Sequence, residues 1–258
     1  MRLMKRILSA AAVLALSASL LVGCSSGTAS SVPVSASSAA ESTVSSVEET
    51  ASSAVDENEA AAAQLLNDLT GSYQELRPVI LADEYKQTWL DDCTALVGED
   101  NAEAAFEKLS SMVTGDVYGE DAVKAYANGG GAYFCGFTNS LAILTFDGET
   151  STISGTDKDG NVLFSHTYHY IGMEPVRGLY EFQSDDADSG EFTYFFLAPD
   201  TSAETYHIEF RYGSDAEALS QYDTGEYAYW LASGISTDCD QTMIDNCIEL
   251  FCTENLAG

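Results

Sequence analysis

Between Leu141 and Tyr212 the chain alternates apolar and polar residues with a period of two, in short runs broken by turn residues. Successive side chains of a strand point to opposite faces, so each run reads as a strand with one buried face. The runs are 141–146, 150–154, 162–170, 177–183, 191–197 and 205–212. Asp147-Gly148 and Asp159-Gly160 separate the first three. Such pairs mark tight hairpins, because type I′ turns need positive φ at their central residues. Six strands in sequence order with short connections make an antiparallel meander. As an open sheet it would leave long unpaired edges, and closure into a barrel removes them.

Helical patterning flanks the meander. Residues 59–69 are rich in Ala and Leu, and Ala105, Leu109 and Met112 recur at helical spacing in 101–112. A short helix is predicted over 118–127, ended by Gly129-Gly130-Gly131. Another is predicted over 214–221. A last one, over 239–252, places Ile244, Cys247, Ile248 and Phe251 on one face. The expected fold class is mainly β with flanking helices (α+β), an antiparallel barrel meander with a helical N-terminal segment and C-terminal helices.

The N-terminus sets location. Arg2, Lys5 and Arg6 precede an apolar stretch from Ile7 to Val22, and Leu21-Val22-Gly23-Cys24 closes it. A basic start, a short apolar core and small residues before a cleavage point are the parts of a secretory signal. The apolar run is shorter than the roughly 20 residues a spanning helix needs. The cysteine resembles the lipobox of bacterial lipoproteins, which implies a diacylglycerol on Cys24, tethering the protein to the cell membrane on its extracytoplasmic side. Residues 25–56 are Ser, Ala, Thr, Val and Glu with one proline, a composition that forms a flexible tether. The expected organisation is a signal at 1–23, a lipidated Cys24 with disordered linker to 56, and a barrel domain at 57–258.

The net charge is −31, and three of the ten Lys and Arg residues lie in the signal, so the remainder is more acidic still. Nucleic acid is excluded as a partner, because phosphate binding needs Lys and Arg. Electrostatic docking on anionic lipid is excluded likewise, leaving membrane attachment to the lipid on Cys24. Setting Cys24 aside, Cys93, Cys135, Cys239, Cys247 and Cys252 remain. Their number is odd, so at least one is unpaired in a monomer, and no Cys-x-x-Cys spacing marks a zinc ribbon or redox motif.

The three histidines are His166, His169 and His207. Period two puts His207, Glu209 and Arg211 on one strand face. There an imidazole and a carboxylate side by side can reach one zinc ion. The plain alternative is a polar strand face with a Glu209–Arg211 contact. His166 and His169 fall on opposite faces of their strand and cannot chelate one ion together without a bulge. Asp185-Asp186-Ala187-Asp188 and Asp157-Lys158-Asp159-Gly160 look like calcium loops. From Asp185 the place of the closing glutamate falls on Phe196, and from Asp157 it falls on Tyr168, so both read as acidic turns. No serine-hydrolase elbow, phosphate loop or dinucleotide loop is present, and no nucleophile–base pair supports an enzyme.

Several stretches resemble the ZinT (YodA) family. They are Leu69-Thr70-Gly71-Ser72-Tyr73, Arg177-Gly178-Leu179-Tyr180-Glu181-Phe182, and above all Tyr206 to Asp215 followed by a helix containing Leu219. The aromatic segment Tyr227 to Trp230 and the acidic terminal helix fit as well. The resemblance covers most of the chain after Leu66, with an expanded helical segment around 90–127. It implies a lipocalin/calycin-like barrel that binds zinc through three histidines. Here His207 holds one of those places, Glu209 replaces the second, and the third falls near Ala198. The site it implies is His207 and Glu209, helped by His166, His169 or an aspartate. It implies a lipoprotein that binds a divalent metal ion, zinc first, for acquisition or buffering, without catalysis, with a metal-uptake transporter as partner. The alternative is a metal-free calycin-like module that binds a small organic ligand in an apolar lumen built from Tyr168, Tyr170, Tyr194, Phe195 and Phe196, or binds a protein partner.

Overall fold

The computed structural model describes residues 57–112, 115–129, 131–199 and 207–256. The signal, Cys24, the linker to residue 56, and Thr205 and Tyr206 of the last predicted strand lie outside the described residues.

Eight antiparallel strands close into a barrel in chain order. They are β1 (Gly71–Glu75), β2 (Ile143–Asp147), β3 (Thr152–Thr156), β4 (Val162–Met173), β5 (Tyr180–Ser184), β6 (Tyr194–Leu197), β7 (His207–Gly213) and β8 (Ala232–Ser236). The six predicted strands are β2 to β7. The closing strands were missed. β1 is short, and β8 reads Ala-Ser-Gly-Ile-Ser, buried at every position, so it shows no alternation. Its pairing with β1, Tyr73 opposite Ser236, completes the ring.

The turns differ in detail from the predicted hairpins. At Asp147-Gly148 the positive φ falls on Ser151, at 52°, and the Asp147 Oδ1 accepts N–H bonds from Glu149 (3.1 Å) and Thr150 (3.3 Å). Gly148 is needed for closeness instead: a Cβ there would lie 2.4 Å from the Asn67 Cα. At Asp159-Gly160 the glycine does take φ of 81°. β5 begins at Tyr180 rather than Arg177. The buried Glu174 carboxylate accepts the N–H groups of Val176 and Arg177, both at 2.7 Å, and holds that stretch as a turn.

Cross-strand pairs assign the two faces of the wall. Phe146 sits opposite Ile153, Ile153 opposite His166, Tyr170 opposite Phe182, Phe182 opposite Phe195, and Phe195 opposite Tyr212. These residues point inward; Phe146, Ile153, Phe182, Phe195 and Tyr212 belong to one core, and Tyr170 packs against it. Phe146, Phe182, Phe195, Phe210 and Tyr212 are essentially fully buried. The rings of Phe195 and Tyr212 stack at 5.4 Å. Each such ring stabilises by about 1.5–3 kcal/mol through burial. Of the aromatic residues that suggested a ligand cavity, Tyr168, Tyr170 and Phe195 point into the lumen, while Tyr194 and Phe196 stand on the other face of β6.

Helices cover the outside. They are α1 (residues 57–68), α2 (Leu76–Ile80), α3 (Lys86–Val97), α4 (Glu99–Met112), α5 (Gly119–Ala125), α6 (Ala216–Leu219) and α7 (Gln241–Leu256). A second core joins α2, α3, α4 and α7 to the outer face of β8 through Ile235. Trp89 is its hub. The indole donates to the Ile80 carbonyl at 2.7 Å and packs on Phe106 and Phe251. α3 was not predicted, because its buried residues are only Trp89 and Cys93 amid polar neighbours. Cys239 precedes α7 and does not share that helix with Cys247 and Cys252. Among the described residues no helix is long and apolar enough to cross a membrane.

Candidate metal-binding face

β7 carries the predicted pair. Its even residues Ile208, Phe210 and Tyr212 face the core, and its odd residues His207, Glu209 and Arg211 face outward. His207 stands opposite Ile235 and Glu209 opposite Ser233 on β8. Strand alternation thus brings the imidazole and the carboxylate to the same face, as the sequence indicated.

Arg211 does not join them. It is fully buried, and its guanidinium donates to the carbonyls of Leu219, Gln221 and Tyr227, with the Tyr222 ring 4.4 Å from Cζ. The predicted Glu209–Arg211 contact is replaced by a clamp on the segment after β7. A buried cation needs several acceptors to offset desolvation, and three bare carbonyls supply them.

His207 and Glu209 line a small, partly open cavity of about 80 Å³ between the barrel wall, α2 and α7, with Glu209 exposed to solvent. Arg77 of α2, Cys135, and Cys247 and Glu254 of α7 line it too. Cys135 reaches it because residues 134–135 run alongside the chain entering β8: the Ser233 N–H donates to the Cys135 carbonyl at 3.0 Å. Burial pushes the Cys135 thiol up to about 11, with Arg77 pulling it down and Glu209 pushing it up. Burial likewise lifts Cys247 to about 12. Both thiols are protonated at neutral pH. Arg77 donates to the Ser110 carbonyl at 2.5 Å, and its buried Nε has no partner.

The donor types suit zinc, which takes imidazole, thiolate and carboxylate. Their positions offer a platform rather than a finished tetrahedron. Among the described residues no group of three or more His, Cys, Asp or Glu side chains is arranged to hold a metal ion. Arg77 adds positive charge that opposes a cation there.

The other two histidines belong elsewhere. His166 faces the lumen side of β4 and His169 its outer side. Neighbouring aspartates of the β5–β6 loop pair with them: Asp186 Oδ2 lies 2.7 Å from His166 Nδ1, and Asp185 Oδ1 lies 2.6 Å from His169 Nδ1. The stretch that looked like a calcium loop therefore pairs with imidazoles. Register places this cluster at the end of the barrel opposite His207. His169 aligns through Gln183 and Tyr194 with Gly213, the far end of β7. The sequence missed Cys135, Cys247 and Glu254 as neighbours of His207, because three separate elements bring them together. The sequence marked Cys247 only as part of the buried face of the terminal helix, beside Ile244 and Ile248.

No protein-family model matches the chain, and no curated protein matches it. Solved structures similar to the chain include two from one organism. The Zn(II)-bound ZinT-like domain of Streptococcus pneumoniae AdcA is 15% identical with a TM-score of 0.45, over 71% of this chain and 89% of that one. Zn(II)-bound AdcA from the same organism is 15% identical with a TM-score of 0.41, over 72% of this chain and 35% of that one.

Proposed function

We propose that this protein is a lipid-anchored, extracytoplasmic binding protein for a divalent metal ion, zinc first, held at the outer face of β7 and serving metal acquisition or buffering. One observation carries the reading: His207 and Glu209 project from the same strand face and line one small cavity, with two thiols and Glu254 also on its lining. His207 and Glu209 supply two of the roughly four ligands a zinc site uses, with water completing the set. Two protein ligands, with Arg77 beside them, set the expected affinity in the micromolar range rather than the nanomolar. His166 and His169 sit with Asp186 and Asp185 and contribute, on this reading, at a second and weaker point. The protein performs no reaction of its own and hands metal to an uptake transporter. Calorimetric titration of the purified protein with zinc tests the proposal, with His207→Ala and Glu209→Ala as controls. Saturable binding near one equivalent, lost in both variants, supports it; no saturable binding at micromolar concentration ends it.

A second reading is favoured by a different cavity. A cleft of about 310 Å³ lies beside the first, lined by Glu75, Arg77, Pro78, Asp116, Phe134 and Cys135. Its size is at the lower end for small-molecule sites, and apolar walls with one guanidinium and two carboxylates suit a small zwitterionic organic molecule. A thermal-shift response to small amino acids that disappears in Arg77→Gln, with no response to zinc, would select this reading.

A further inference from the structure

Cys93 of α3 and Cys252 of α7 are both fully buried in the second core, and their Sγ atoms are 3.9 Å apart. We propose that this pair is a disulfide site that staples the C-terminal helix to the helical layer once the chain is exposed to an oxidant. The geometry needed is nearly in place. A disulfide brings sulfurs to about 2.05 Å, so each sulfur moves by roughly 1 Å, within reach of a small χ1 change. The two helices are held in register by Trp89, which packs on Phe251 one residue before Cys252. The other three described cysteines lack this match: Cys135 and Cys247 line the cavity beside His207, and Cys239 precedes α7.

The chemistry balances with an external disulfide, such as an exported thiol oxidoreductase or oxidised glutathione. The Cys93 and Cys252 thiols lose two protons and two electrons, the S–S bond forms, and the oxidant's disulfide is reduced to two thiols. Exchange begins with a thiolate attacking the oxidant. Burial raises both thiols above the ordinary value, and in the closed fold neither is a ready nucleophile. Oxidation therefore belongs to the folding chain, or to moments when α7 lifts from α3. The bond would close a loop of 159 residues in sequence separation. It would also fix the wall of the His207 cavity, because Cys247, Phe251 and Glu254 stand on the same helix.

The test is a peptide map of the full chain, refolded with a mixture of oxidised and reduced glutathione, alkylated without reduction and digested. The expected result is a cross-linked pair of peptides carrying Cys93 and Cys252, two hydrogen atoms lighter than the two free peptides together, and free alkylated Cys135, Cys239 and Cys247. Reduction should lower Tm by about 5–15 °C. The same comparison should show no shift in Cys93→Ala. Alkylated Cys93 and Cys252 in the refolded chain, or a bond from either to another cysteine, overturns the proposal. The wild-type map decides even where the variant fails to fold.

Discussion

Replacing Arg211 by methionine should destabilise the protein by about 3–5 kcal/mol, the range for leaving a buried polar network without its charged partner. The magnitude comes from the acceptors. Leu219, Gln221 and Tyr227 each present a carbonyl to this guanidinium, which is 0% exposed. Losing it orphans two buried acceptors, on Leu219 and Tyr227, each costing about 1–3 kcal/mol if water cannot reach it, and a part-buried one on the exposed Gln221. The sum is an upper bound. Methionine fills part of the space, and removing a buried cation recovers some of the desolvation cost. Urea denaturation followed by tryptophan fluorescence measures it, since Trp230 is buried next to Tyr227. With m of about 2–3 kcal/mol/M the midpoint should fall by roughly 1–2.5 M with the slope unchanged. Arg211→Lys should rescue little, because an ammonium cannot span acceptors spread over the segment 219–227. A loss below about 0.5 kcal/mol, the range of ordinary surface substitutions, would refute the clamp.

Tyr212→Phe should cost about 1–3 kcal/mol by chemical denaturation, because its buried hydroxyl accepts from the Thr138 N–H (2.6 Å) and donates to the Thr138 carbonyl (2.9 Å). Asp92→Asn should stabilise by roughly 0.5 kcal/mol at neutral pH. Burial first, then Glu249, Asp245 and Asp91, raise that carboxyl, so the folded state holds its proton more tightly than the unfolded one. The wild-type penalty is absent below the ordinary carboxylate range and appears as pH rises through the raised value. The gain from Asp92→Asn should therefore vanish on acidification, as thermal melts at pH 7 and pH 3 will show.

Much of the barrel was legible because β2 to β7 each bury one face and expose the other. β8 escaped because α2 and α7 cover its outer face, which erases the alternation. The Asp147-Gly148 signal located a turn but not its geometry, since Gly148 answers to the approach of Asn67 rather than to φ. In the candidate site, period two placed His207 beside Glu209, but it gave Arg211 the wrong partner. Parity fixes which side a residue leaves the strand, while the reach of a long guanidinium depends on a segment that packs there later. The pairing of His166 with Asp186 and of His169 with Asp185 was hidden for the same reason. It joins β4 to a loop that only the closed β4–β5–β6 ladder brings alongside.

Zinc titration by calorimetry at neutral pH, on the wild type, His207→Ala, Glu209→Ala and the double variant, tests the metal-binding claim most directly. One saturable site of micromolar affinity is expected in the wild type. Each single variant should lose at least about tenfold, or roughly 1.4 kcal/mol, and the double variant should lose no more. Binding that survives unchanged in both single variants, or no saturable binding in the wild type, contradicts that claim.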